Sequence, residues 1–257
     1  MRKNLNIAWL VLGIILSSLQ VTHAQQNQKE PLRVLFVGNS FTYYYNLSQV
    51  VTAMAESQGV NIMTRQSTVG GSSLEQHWKE EKGTVTRKWL DSLEWDYVVF
   101  NNHSLSTINN PERFMEYSMK FAELVRKKGA EPVFMQTWGY KSNPLLIRTI
   151  VPSYDRLAEL SNTHLVPCGE LFAEVRKWRP ELELFADDKH PSPVGTYLLG
   201  LAFFKYFTGL PTTEINRRIW TEDRNGEKLY LLFMEQTDAD FLQQVVDDYT
   251  FKFFAGK

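Results

Sequence analysis

Leu32-Arg33-Val34-Leu35-Phe36-Val37-Gly38-Asn39-Ser40-Phe41-Thr42 is the stretch on which the reading of this chain turns. A short apolar run that stops at a glycine reads as a buried strand. A serine directly after such a strand stands at the carboxyl edge of a sheet, entering the turn to the next helix. There its hydroxyl can face solvent and its own backbone N–H can face a developing negative charge. The stretch is not the G-x-S-x-G elbow, because Thr42 occupies the last position and the serine comes too early in the chain. Taken alone it is equally a helix N-cap, since serine readily caps.

Outward from this strand the pattern alternates. Tyr45 to Gly59 has helical spacing (Leu47, Val50, Val51, Met54) and a glycine stop, and Val60 to Arg65 is a second strand. Thr84–Leu93 reads as helix, Asp96–Phe100 as the third strand, Pro111–Lys128 as helix and Pro132–Thr137 as the fourth strand. Pro152–Ser161 (helix), His164–Pro167 (fifth strand) and Gly195–Phe207 (apolar helix) follow. Alternating strands and helices predict a three-layer α/β/α sandwich on a mostly parallel, five-stranded sheet. Right-handed crossovers then put every strand's carboxyl end along one edge, where ligand sites form. Residues 211–257 read as a terminal extension of the same domain, with a turn at Asn225-Gly226 and an amphipathic helix near Asp238–Phe253.

A second feature lies some 150 residues beyond Ser40: Asp187-Asp188-Lys189-His190-Pro191-Ser192, just before the last apolar helix. Serine chemistry needs a base within hydrogen-bond reach and a group that fixes the tautomer of that base. An aspartate three residues before a histidine can do this from one loop, which Pro191 and Pro193 stiffen. Of five histidines, His190 alone sits in an acidic, proline-bracketed turn ahead of a helix.

Together the two features resemble the SGNH, or GDSL-like, hydrolase superfamily, whose first block is G-D-S-like and whose last is D-x-x-H. The resemblance implies a flavodoxin-like α/β/α fold, Ser40 as nucleophile, His190 as general base and Asp187 as its orienter, with Asp188 the rival for that role. Asn39 departs from the usual Asp, and the GNSFT form marks one branch of the superfamily. The glycine block is matched by Val69-Gly70-Gly71-Ser72-Ser73, where a bare backbone N–H would approach the oxyanion, Gly71 fitting better than Gly70. The third block normally carries G-x-N-D; here Phe100-Asn101-Asn102-His103 stands in its place, so that Asn102, or else Asn101, would donate its amide beside the N–H of Ser40. His77, in Glu75-Gln76-His77-Trp78, and Trp138, beyond the fourth strand, are the expected substrate-binding residues, each with a core or surface role as its alternative.

The ends and the composition bound the rest. Arg2 and Lys3, the 13-residue apolar run Ile7–Leu19 and Thr22-His23-Ala24 before Gln25 have the order of a secretory signal peptide, the run being short of the roughly 20 residues that span a bilayer. Residues 1–24 are therefore expected to be removed and 25–257 to form a single catalytic domain, exported to a bacterial periplasm or secreted, with no stable membrane anchor. Removing Arg2 and Lys3 with no acid takes the formal charge from −1 to −3, and no basic block suggests nucleic acid. Cys168 is the single cysteine, so no internal disulfide forms; it is read as a small buried hydrophobe. No metal cluster appears and the chemistry needs no cofactor. The expected reaction is hydrolysis of carboxylic esters, with acetyl groups on a small-molecule or glycan substrate as the expected target. A lipase or thioesterase, and a catalytically silent carbohydrate-binding protein of the same fold, are the alternatives.

Overall fold

The computed structural model describes residues 30–252. The expected signal peptide lies outside the described residues. Five parallel strands form the central sheet in the order β2-β1-β3-β4-β5: β1 Leu32–Gly38, β2 Ile62–Thr68, β3 Tyr97–Phe100, β4 Glu131–Met135 and β5 His164–Val166. The side-chain alternation of a strand sends successive residues to opposite faces. Val34, Phe36, Val99, Val133 and Met135 pack into one layer with the helices Leu47–Ser57, Cys168–Trp178 and Pro193–Thr208. Leu35, Val37, Val98, Phe100 and Phe134 pack into the other, against Pro111–Lys127 and Ile147–Ser161. The result is the predicted α/β/α sandwich; β1, β3 and β4 are largely apolar because both faces are covered, whereas the edge strand β2 carries Thr64, Arg65, Gln66 and Ser67.

Several boundaries differ from the sequence reading. The helix expected from Pro152 begins at Ile147 and runs through the proline. The helix Cys168–Trp178 was not expected at all; it buries Leu171, Phe172 and Val175. Cys168 is fully buried, and burial pushes its thiol pKa up, as suits a packed rather than a reactive cysteine.

Residues beyond 211 contribute to the same core. Around the expected turn at Asn225-Gly226, Arg218–Glu222 (β6) and Lys228–Phe233 (β7) form an antiparallel hairpin, whose two strands the sequence reading did not assign. It tucks Ile219 and Leu232 against the layer of Leu47–Ser57, and the helix Gln236–Asp248 adds Ala239, Leu242 and Val246. Buried Gln243 fastens that helix: its Nε2 donates to the Tyr197 hydroxyl (2.8 Å) and to the Ile215 carbonyl (2.7 Å). Replacing it with leucine strands both acceptors in an apolar layer. Gln243→Leu should therefore lose roughly 1–3 kcal/mol of stability, read from the urea midpoint; an unchanged midpoint would mean the terminal helix is not held this way.

Candidate active site

The turn after β1 is tightly built. Asn39, extended at φ −136°, caps the short helix Ser40–Tyr43 by accepting from the Phe41 N–H at 3.1 Å, so the cap is Asn39 and not Ser40. Ser40 is left at the first helical position, where its own N–H has no acceptor within the helix. Gly38 has no room for a side chain: a Cβ there would meet Thr42 Oγ1 at 2.7 Å and Asn101 Cβ at 2.9 Å.

The loop Asp187–His190 comes to meet this turn. Its ends close in an antiparallel bridge between Phe185 and Pro191, with Ala186 N–H donating to the His190 carbonyl at 2.9 Å. Asp187 Oδ1 accepts the backbone N–H groups of Lys189 and His190, both at 2.8 Å, which turns Oδ2 toward the imidazole. Oδ2 then takes Nδ1–H of His190 at 2.6 Å, and Nε2 of the same ring lies 2.8 Å from Ser40 Oγ. Because a carboxylate only accepts, the proton of the neutral ring is assigned to Nδ1, leaving Nε2 free to accept from the serine hydroxyl. Partial desolvation opposes the charge on Asp187. The two backbone donors and the imidazole outweigh it and hold the carboxyl well below the usual range. Asp188 points elsewhere, accepting from the N–H (2.8 Å) and hydroxyl (2.9 Å) of Ser142.

The imidazole is also held from its faces. The Tyr44 ring stacks on it at 4.2 Å and 7°, and Phe41 presents an edge at 5.8 Å. Tyr45 and Asn46, just after Tyr44, are both left-handed (φ 47° and 55°), a conformation that costs a non-glycine residue energy and that clusters at functional sites.

Two expected substrate-binding residues are corrected by the structure. Trp138 is fully buried and presents no platform to a sugar. It is stacked between Phe41 (4.4 Å, 7°) and Phe172 (4.5 Å, 9°), and its Nε1–H donates to the Lys189 carbonyl at 2.9 Å. One indole thus ties the Ser40 turn to the His190 loop. His77 is likewise fully buried. Its Nε2 lies 2.9 Å from the Gly38 carbonyl and 2.8 Å from Ser72 Oγ, and its Nδ1 lies 2.7 Å from Thr86 Oγ1. Since a carbonyl only accepts, Nε2 carries the proton and Nδ1 accepts from the threonine.

The remaining candidates converge on the same edge. Gly71 is left-handed (φ 63°), in a turn that suits glycine, and its N–H has no acceptor among the described residues. Asn102 Oδ1 accepts from the N–H of Leu74 (3.1 Å) and of His103 (2.8 Å), so its Nδ2 stays uncommitted among the described residues. The Asn101 carboxamide is enclosed: its Oδ1 is 3.4 Å from the Thr42 hydroxyl and its Nδ2 is buried without a partner. Asn39 joins the three blocks, its Nδ2 donating to the carbonyls of Ser72 (3.0 Å) and Asn102 (3.1 Å).

No family model matches the sequence, and no curated protein matches it. Solved structures do. A protein of Slackia heliotrinireducens, provisionally described as an SGNH hydrolase, is 24% identical with a TM-score of 0.59, covering 69% of this chain and 99% of that one. A DUF4886 family protein of Bacteroides uniformis is 19% identical with a TM-score of 0.65 over 84% of this chain and 93% of its own. A catalytic mutant of an acetylxylan esterase from Geobacillus stearothermophilus is 15% identical with a TM-score of 0.55, over 68% and 94% respectively. The chain has the fold of the SGNH, or GDSL-like, hydrolases.

Burial pushes the His77 pKa down to about 4, the bond to Gly38 opposing. The unfolded ring titrates near 6.5, so between about pH 6.5 and 4 the unfolded chain binds a proton that the folded chain refuses. Stability from this site is present above pH 6.5 and is lost as pH falls toward 4, by on the order of 3 kcal/mol. Urea midpoints followed from pH 7 to pH 4 should fall less steeply in His77→Gln than in wild type; parallel curves would refute a buried neutral His77.

Proposed function

We propose that the chain is a serine esterase that acts through an acyl-enzyme, with Ser40, His190 and Asp187 as its catalytic triad. One observation carries the reading: the unbroken path from Asp187 Oδ2 to His190 Nδ1 (2.6 Å) and from Nε2 to Ser40 Oγ (2.8 Å). As Ser40 Oγ attacks the ester carbonyl, its proton passes to Nε2. The imidazolium so formed is stabilised by the Asp187 carboxylate, which stays ionised because its pKa is held low. The oxyanion is met by the N–H groups of Ser40 and Gly71 and by the Asn102 amide, while Asn101 is too enclosed to donate. Collapse of the tetrahedral species expels the alcohol, protonated by His190. The ring then activates water to cleave the acyl-enzyme and release the acid.

The fold shared with an acetylxylan esterase supports short acyl groups on carbohydrate as the substrate class, and the composition of residues 1–24 supports export to the periplasm or medium. A catalytically silent binding protein would have no need to hold serine, imidazole and carboxylate in one line.

Groups that act as one unit lose activity non-additively. With p-nitrophenyl esters of increasing chain length, Ser40→Ala should abolish turnover, His190→Ala should nearly do so, and the double variant should be no worse than Ser40→Ala. Asp187→Ala should be the milder change and still exceed Asp188→Ala. Turnover retained in Ser40→Ala would overturn the reading. Asn102→Ala should lower kcat by about 10²–10³ with little change in KM, whereas Asn101→Ala should leave most of kcat; the reverse order would reassign the donor.

A further inference from the structure

A cavity of about 280 Å³ opens beside Asn102. Asn102 forms part of its wall, and the Asn102 carbonyl is tied to Asn39, the residue before Ser40. The cavity thus shares Asn102, the proposed oxyanion donor, with the reacting centre. Its volume is close to the lower bound of about 300 Å³ for small-molecule pockets, room for one ring rather than a long chain.

The lining is polar in a particular way. Asn109 and Asn110 are exposed, and neither carboxamide bonds to another described residue, although their backbone N–H groups are satisfied by Leu105 and Ser106. Each therefore offers a donor pair and an acceptor to whatever enters. The charged side chains of the wall, Glu75 and Arg113, pair with each other, so neither presents an uncompensated charge to a ligand. His103 adds a half-buried imidazole whose pKa is lowered, by burial first and then by Lys189 and Lys82; its Nδ1 accepts from the Leu105 N–H, which leaves Nε2–H as an uncharged donor. Phe114, itself part of the core, forms the apolar floor of the cavity. Paired donors and acceptors along its wall suit a ring bearing several hydroxyl groups. They do not suit an acyl chain, which would strand the two carboxamides, or an anion, which would have to displace Glu75 from Arg113.

We infer that this cavity is a subsite for a neutral polyhydroxylated ring, a sugar unit on the alcohol side of the ester, held by Asn109 and Asn110. The inference rests on the esterase reading and assigns residues to the sugar side of its substrate.

The test compares two esters that differ in this ring, p-nitrophenyl acetate and a mono-O-acetyl methyl glycoside, in wild type and in Asn109→Ala/Asn110→Ala. The ratio of kcat/KM for the glycoside to that for the aryl ester should fall at least tenfold in the variant, through KM for the glycoside. Both side chains are exposed and unbonded, so the variant should fold; its Tm reports this directly. An unchanged ratio with both esters hydrolysed overturns the subsite and leaves the esterase standing. If wild type hydrolyses neither ester, the decisive arm is calorimetric binding of the same glycoside to Ser40→Ala. At least tenfold weaker binding on adding the two Asn substitutions supports the subsite without the esterase, and equal or absent binding overturns it.

Discussion

The structure depends first on the two hydrogen bonds that the Asn39 carboxamide donates, to the carbonyls of Ser72 and Asn102. They bind together the carboxyl ends of β1, β2 and β3, the three strands whose following turns carry Ser40, Gly71 and Asn102. An ionised aspartate, the residue usual in the superfamily this chain resembles, has only acceptors and could make neither bond. His77 and Ser72 reinforce the same junction through the Gly38 carbonyl, which His77 Nε2 approaches at 2.9 Å and the Ser72 hydroxyl at 3.0 Å. Preorganisation of this kind keeps donors fixed where charge would develop, so little reorganisation is needed during reaction.

The second half of the site, the loop Asp187–His190, is foreign to this junction in sequence and is joined to it by aromatic packing. Trp138 does most of the joining. Its faces are covered by Phe41 and Phe172, and its single donor reaches the Lys189 carbonyl, the best use a buried indole can make of its N–H. The 2.8 Å approach of Nε2 to Ser40 Oγ is then a consequence of two rigid pieces pressed together across one indole and one phenyl ring.

Much of this was legible in the sequence, because strand period, glycine stops and proline starts are local signals. The five strands needed nothing else, whereas the roles expected of Ser40 and His190 came from pairing two distant blocks and from the superfamily that the pair resembles. What escaped depends on contacts between distant residues. His77 and Trp138 look like pocket residues because they neighbour functional blocks, yet partners distant in the chain (Gly38 for His77, Phe41 and Phe172 for Trp138) draw them inward. Asp187 and Asp188 could not be separated until Ser142, brought in from beyond β4, was seen to occupy Asp188. The same holds for Asn101 and Asn102, distinguished by Thr42 beneath one and Leu74 beside the other. The hairpin β6–β7 was missed because its outer residues, Trp220, Tyr230 and Phe233, remain exposed and blur the alternation that marks a strand.

The most direct test of the central claim is chemical labelling of Ser40. A fluorophosphonate reacts with a serine hydroxyl that a neighbouring base has activated, and peptide mass spectrometry locates the adduct. The account predicts one adduct on wild type, at Ser40, lost in His190→Ala because the base is gone. Absence of labelling on folded wild-type protein, or labelling at Ser40 that persists unchanged in His190→Ala, would contradict it.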